Sequence, residues 1–168
     1  MSYAESLLAF VGSRDPLDVQ AELPGWIEQR TAALDDPTLR RREAPDKWSV
    51  IEVVQHLADT ELAYGYRVRM VLTHDAWTVE VFDREAWARE LRYQEASLAG
   101  ALEQLRALRN ANLRLYRSLT SAQLARSGMH AERGPETIAT YIGILAGHDL
   151  VHRRQIDRIL GAAAGAGG

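Results

Sequence analysis

The chain has 168 residues with a formal net charge of −3, 46% hydrophobic and 26% charged side chains, and no cysteine. That length suits one domain with a real core. The charge argues against a general nucleic-acid binder, which needs a basic face, and the missing cysteine excludes disulfide frameworks, thiolate metal sites and a cysteine nucleophile of its own.

Taken in chain order, residues 1–23 are expected to add only short helical pieces. A first main helix is predicted over 24–35, because proline is favoured at the first helical position and Pro24 would stand there. The second has the clearest start. Ser49-Val50-Ile51-Glu52 reads as a capping box, with Trp48 and Val53 placed for the hydrophobic staple around it, and the helix should run to Thr73. Its apolar face centres on Val50, Val54, Leu57, Tyr64 and Val68, with His56 at the edge beside Val53 and Thr60 and with Glu61 in mid-stripe. A short helix is predicted over 83–91 and a third long one over 95–119, with the stripe Leu98, Leu102, Leu105, Leu108, Leu115, Leu119. The fourth is expected to start near Gly134-Pro135 and to stop before Gly161, where glycine is a usual terminator. Segment 161–168 has nothing to bury and should be mobile.

No proline lies between Asp46 and Gly134, and no strand-like alternation is visible. The expectation is therefore an all-α four-helix bundle with short additional helices, one domain over 1–160 with its core starting at 24. No apolar run reaches the roughly 20 residues of a membrane span, and the first residues lack the basic-then-apolar layout of a signal peptide. A cytoplasmic protein is expected.

Chemistry concentrates on the last helix. Ile138, Tyr141, Ile142, Leu145, Ile156, Ile159 and Leu160 define its apolar face, and His148, Asp149 and His152 fall inside it, while Arg153, Arg154 and Arg158 point away. Histidines four apart on a helix have Cβ atoms roughly 5–6 Å apart and can reach one metal ion. With five histidines in the chain, such a pair arises by chance roughly once in seven. Position gives it weight, since polar groups in a core stripe must find partners. A hydrogen-bonded structural cluster is the alternative to a metal pair. Glu61 is equally out of place; it could pair with an arginine, support a ligand histidine, or face a polar cavity. If the second and last helices face each other, His56 approaches His148 and His152. His74, at the end of the second helix, is favourable there on dipole grounds alone.

Lys47-Trp48-Ser49-Val50-Ile51-Glu52 followed by His56-Leu57-Ala58-Asp59-Thr60-Glu61, and Gly147-His148-Asp149-Leu150-Val151-His152 followed by Arg154-Gln155-Ile156, resemble the two histidine motifs of the DinB-like superfamily of four-helix-bundle metalloproteins. Phe82-Asp83, Ala86-Trp87 and the turn around Gly128, His130 and Gly134 are similar too, so the resemblance covers about residues 24–160. It departs at His130-Ala131-Glu132, where many relatives carry His-Pro-Glu; His130 is read as a loop residue. The resemblance implies a divalent ion, nickel or zinc, held by His56, His148 and His152. It further implies a metal-dependent S-transferase that activates a low-molecular-weight thiol such as bacillithiol, mycothiol or glutathione, with Glu61 and Asp149 as candidate catalytic or supporting acids. A metal-dependent hydrolase and a non-catalytic, metal- or ligand-binding stress-response protein are the alternatives. The expected partner is a small-molecule substrate, not a nucleic acid or a membrane, and the family's habit allows a homodimer.

Overall fold

The computed structural model describes residues 2–131 and 133–165. Among them, four long helices carry the architecture: α2 (Pro16–Thr31), α4 (Val50–Thr73), α6 (Leu98–Ser118) and α8 (Ile138–Gly165). Helix α4 packs on α6 and α8, and α2 packs on the same two, which closes a four-membered ring. A first helix, α1 (Tyr3–Val11), lies along α8, and α3 (Asp36–Arg40), α5 (Arg84–Glu90) and α7 (Ser121–Leu124) fill the connections. This is the expected four-helix bundle with short additional helices. None of the described helices is long and apolar enough to cross a membrane.

Helix α4 starts as its sequence demands. The Ser49 hydroxyl accepts from the Glu52 amide, and the Glu52 carboxylate accepts from the Ser49 amide at 2.8 Å, which satisfies two otherwise orphaned donors. Helix α5 is capped by Asp83, and α6 starts three residues later than predicted because Ser97 caps it and 93–95 form a 3₁₀ turn.

Three further expectations are corrected. Pro24 does not begin a helix; it lies inside α2, which starts at Pro16 behind the Asp15 cap. An interior proline removes one intrahelical hydrogen bond, here the one the Gln20 carbonyl would accept, and that carbonyl finds a replacement donor described below. Helix α8 starts at Ile138 and runs through Gly161 to Gly165. The alanines after Gly161 are the strongest helix formers and offset the cost of about 1 kcal/mol for a helical glycine. Of the segment expected to be mobile, residues 166–168 lie outside those described.

The third correction is a small sheet in order β1-β2-β3: β1 (Thr78–Val79) runs parallel to β2 (Ser127–His130), which pairs antiparallel with β3 (Gly134–Thr137). Register is set by Thr78 opposite Met129 and by Met129 opposite Pro135. Strand β2 alternates exposed and buried over four residues, too short a run to stand out in sequence. It places His130 in a buried strand position instead of a loop.

The core has two apolar ends, besides a smaller apolar cluster of Val11, Val19, Ala146 and Leu150 where α1 meets α2 and α8. One gathers Leu23, Ile27, Val50, Val53, Val54, Leu57, Leu105 and Ile156; the other gathers Val68, Val71, Tyr116, Ile138, Tyr141 and Ile142. Between them, every long helix contributes polar side chains to the interior: Gln20 from α2, Glu61 from α4, Arg109 and Asn112 from α6, Asp149 and His152 from α8. The bundle is thus apolar at both ends and polar across the middle.

Candidate metal centre

Facing helices α4 and α8 bring three imidazoles to one point. The Nε2 atoms of His56 and His148 lie 3.1 Å apart, and those of His148 and His152 lie 3.0 Å apart. All three ligand atoms fall within 4.8 Å of one another. His56 and His152 are buried and His148 is partly buried. His56 therefore does not sit at a half-exposed stripe edge: the first three turns of α4 are covered nearly all round, because α6, α8 and α3 pack against them.

These residues fit a divalent cation. Ligand nitrogens about 2.0–2.1 Å from a tetrahedral ion stand about 3.3 Å apart, close to the spacing of the first two pairs. His152 Nδ1 faces the Gln155 Oε1 at 2.7 Å, so that nitrogen donates and leaves the Nε2 lone pair inward. His148 Nδ1 is buried without a partner. Burial, then the charge of His152 and of Arg84, lowers the His56 pKa to about 2. Burial likewise takes His152 down to about 4, with Gln155 opposing and Arg84 assisting, and puts His148 well below its ordinary value. Three neutral imidazoles that turn lone pairs toward one point repel each other unless a cation stands between them.

The wall around His56 is made by Trp48, whose ring centroid lies 4.8 Å from the imidazole. Its indole N–H donates to Glu85 at 3.1 Å and so ties the start of α4 to α5. A cleft of about 270 Å³ opens onto His152 and Gln155, with Trp48, Lys47, Arg84 and Glu85 around its mouth. Lys47 is the sole lysine of the chain. The mouth is charged, in contrast to the mostly apolar groove lined by Leu62, Tyr66, Trp77, Phe82 and Trp87 further along α4.

Glu61 and Asp149, the candidate acids, are brought together, but on an arginine. Arg109 Nε donates to Glu61 Oε2 at 2.8 Å, and its Nη1 and Nη2 donate to Asp149 at 2.5 and 3.2 Å. Asn112 donates to the other Glu61 oxygen at 2.7 Å. Arg109 Nη1 also donates at 2.7 Å to the Gln20 carbonyl, the oxygen that Pro24 leaves without its helical donor. Burial alone would lower the Arg109 pKa, but Asp149 and Glu61 more than offset it and hold the guanidinium charged. Burial raises the Asp149 carboxyl to about 6 against the pull of Arg109.

Of the three possible partners for Glu61, the structure selects an arginine. Arg109, Asn112 and Gln20 were missed as interior residues, although Arg109 and Asn112 continue the Leu102–Leu105 stripe at steps of four and three, which is a legible signal. His130 and His74 do not join the three-histidine group; His74 is exposed and ends α4, its amide bonded to the Met70 carbonyl.

Comparison with known proteins agrees with this architecture. The model of the DinB superfamily matches residues 25–156. BH0277 from Halalkalibacterium halodurans is 26% identical over 138 residues, spanning 82% of this chain and 80% of that protein. YfiT from Bacillus subtilis is 26% identical over 149 residues, spanning 86% and 84%. Both are named as candidate metal-dependent hydrolases. The solved structure of YfiT, described as a probable metal-dependent hydrolase with an unusual four-helix bundle topology, superposes with a TM-score of 0.80 over 86% of this chain and 83% of that one.

Proposed function

Because the chain belongs to the DinB superfamily, we propose that it is a metal-dependent enzyme that transfers a low-molecular-weight thiol to a small electrophile, with His56, His148 and His152 holding a nickel or zinc ion. The observation that carries this reading is the convergence of three Nε2 atoms beside an open, charged cleft. Three protein ligands leave coordination positions free, the arrangement of a catalytic and not a closed structural site. A divalent ion bound there supplies Lewis acidity and lowers the pKa of a coordinated thiol or water. Gln155 holds the His152 ring in the tautomer that ligation needs. Trp48 covers His56 from water, and the cleft mouth carries Lys47 paired with Asp46 and Arg84 paired with Glu85, a charged but balanced rim. The sulfur must arrive with a cofactor, since the chain has no cysteine to offer.

Hydrolysis is the second reading, favoured by the names of BH0277 and YfiT; water then replaces the thiol at the same centre. Elemental analysis of protein purified without an affinity tag tests the centre. We expect roughly one divalent ion per chain in the wild type and almost none in His152→Ala; equal, near-zero content in both overturns the metal reading. Turnover of an electrophile with and without added thiol then tests the nucleophile. Strict dependence on thiol supports transfer, whereas a rate that ignores thiol supports hydrolysis and overturns transfer.

A further inference from the structure

We propose that the buried cluster of Glu61, Arg109 and Asp149 carries the counter-charge for the cation held by His56, His148 and His152, and so sets how tightly that cation binds. The inference rests on the metal reading above. Its ground is a charge imbalance in the core. One guanidinium faces two carboxylates, and the three side chains are 1%, 0% and 0% exposed. A buried group of this kind with one negative charge in excess is costly to hold.

The imbalance lies beside a site whose protein ligands bring no charge. Neutral imidazoles leave the full charge of a divalent ion uncompensated, unlike a set that includes a carboxylate. Asp149, buried, directly follows the partly buried His148 on α8. Arg109 is close enough for its positive charge to lower the His148 pKa, after burial and the two other histidines, so a cation held there needs the two carboxylates to outweigh the guanidinium. The cluster is also rigid. Asn112 reaches Glu61 because Gly65 has no Cβ; one built there would stand 2.4 Å from the Asn112 amide nitrogen. The Gln20 carbonyl holds Arg109 from the opposite side. Cluster and cation thus neutralise each other in part across the middle of the bundle, so each stabilises the other.

The decisive feature is the sign. Chelator-competition titration with zinc at pH 7.5 should give Glu61→Gln a dissociation constant about 10–100-fold weaker than the wild type, because the excess negative charge is gone. Arg109→Gln, which increases that excess, should bind zinc more tightly than the wild type. A purely structural cluster predicts that both variants weaken binding together or that neither changes it, and either result overturns the proposal. Asp149→Asn replaces Glu61→Gln, and Arg109→Met replaces Arg109→Gln, where the first choice does not fold; should neither arginine variant fold, Asn112→Ala, which removes a hydrogen bond to Glu61 but no charge, takes their place, and a loss of zinc affinity equal to that of Glu61→Gln overturns the proposal. A wild type that binds no zinc defeats the metal reading itself, whereas a wild type that binds beside variants of equal affinity defeats only this inference.

Discussion

At the scale of single residues, the site depends on which nitrogen of each imidazole looks inward. His152 is the best-determined of the three, because the Gln155 amide oxygen lies 2.7 Å from Nδ1 on the next helical turn. Gln155→Leu keeps the bulk and removes the acceptor, freeing the ring to turn or change tautomer. Zinc affinity should fall about 10–100-fold by chelator competition, with the helical circular dichroism unchanged; an unaltered affinity would show that packing alone orients the ring. Glu61 teaches a related lesson. Its mid-stripe position already declared that it needs a partner, but three kinds of partner satisfied the pattern. Only the meeting of α4 with α6 selected Arg109.

At the scale of elements, close approach between helices decides where the ligands stand. Helix α1 lies against α8 beside Gly147, one residue before His148, and a Cβ at 147 would sit 2.3 Å from the Leu7 carbonyl oxygen. A backbone atom cannot yield as a side chain does. Gly147→Ala should therefore force the two helices apart and lower unfolding stability by about 1–3 kcal/mol in urea titration, despite the higher helix propensity of alanine. A stabilised variant would mean that α1 detaches at little cost. Local signals predicted α4 well, since the capping box at Ser49 and Glu52 depends on neighbours in sequence alone. The start of α2 departs from the prediction, which rests on Pro24 alone as a first-turn proline. Asp15 before Pro16 is the true cap, and inside the helix the carbonyl that Pro24 leaves without a donor is satisfied by Arg109.

At the scale of the whole molecule, the polar middle of the bundle makes the metal-free protein sensitive to acid. In the unfolded chain each histidine titrates near 6.5, whereas burial lowers His56 to about 2, His152 to about 4 and His148 well below normal. Between pH 6.5 and 4 the unfolded state binds more protons, so stability falls as pH falls, by up to about 1.4 kcal/mol per unit for each histidine. Asp149, raised to about 6 by burial, acts in the opposite direction below that pH, but it is one group against three. Urea midpoints measured with a chelator present should drop from pH 7.5 to 5.0, and His152→Gln should flatten the decline by about a third to a half. A midpoint that rises on acidification contradicts the burial of the three rings.

The sequence alone determined the helical class, the α4 start and the inward face that carries His148, Asp149 and His152, because caps and the 3.6-residue period are local properties. It also marked Glu61 as a group in need of a partner. The tertiary structure decided the rest: that His56 is buried, that Arg109 joins Glu61 to Asp149, and that a short sheet encloses His130. These outcomes turn on contacts between segments tens of residues apart, where several pairings satisfy the same pattern and only packing selects one. The missing cysteine was plain in the sequence from the start; the structure supplied three converging imidazoles and a charged cleft through which a sulfur from elsewhere can reach them.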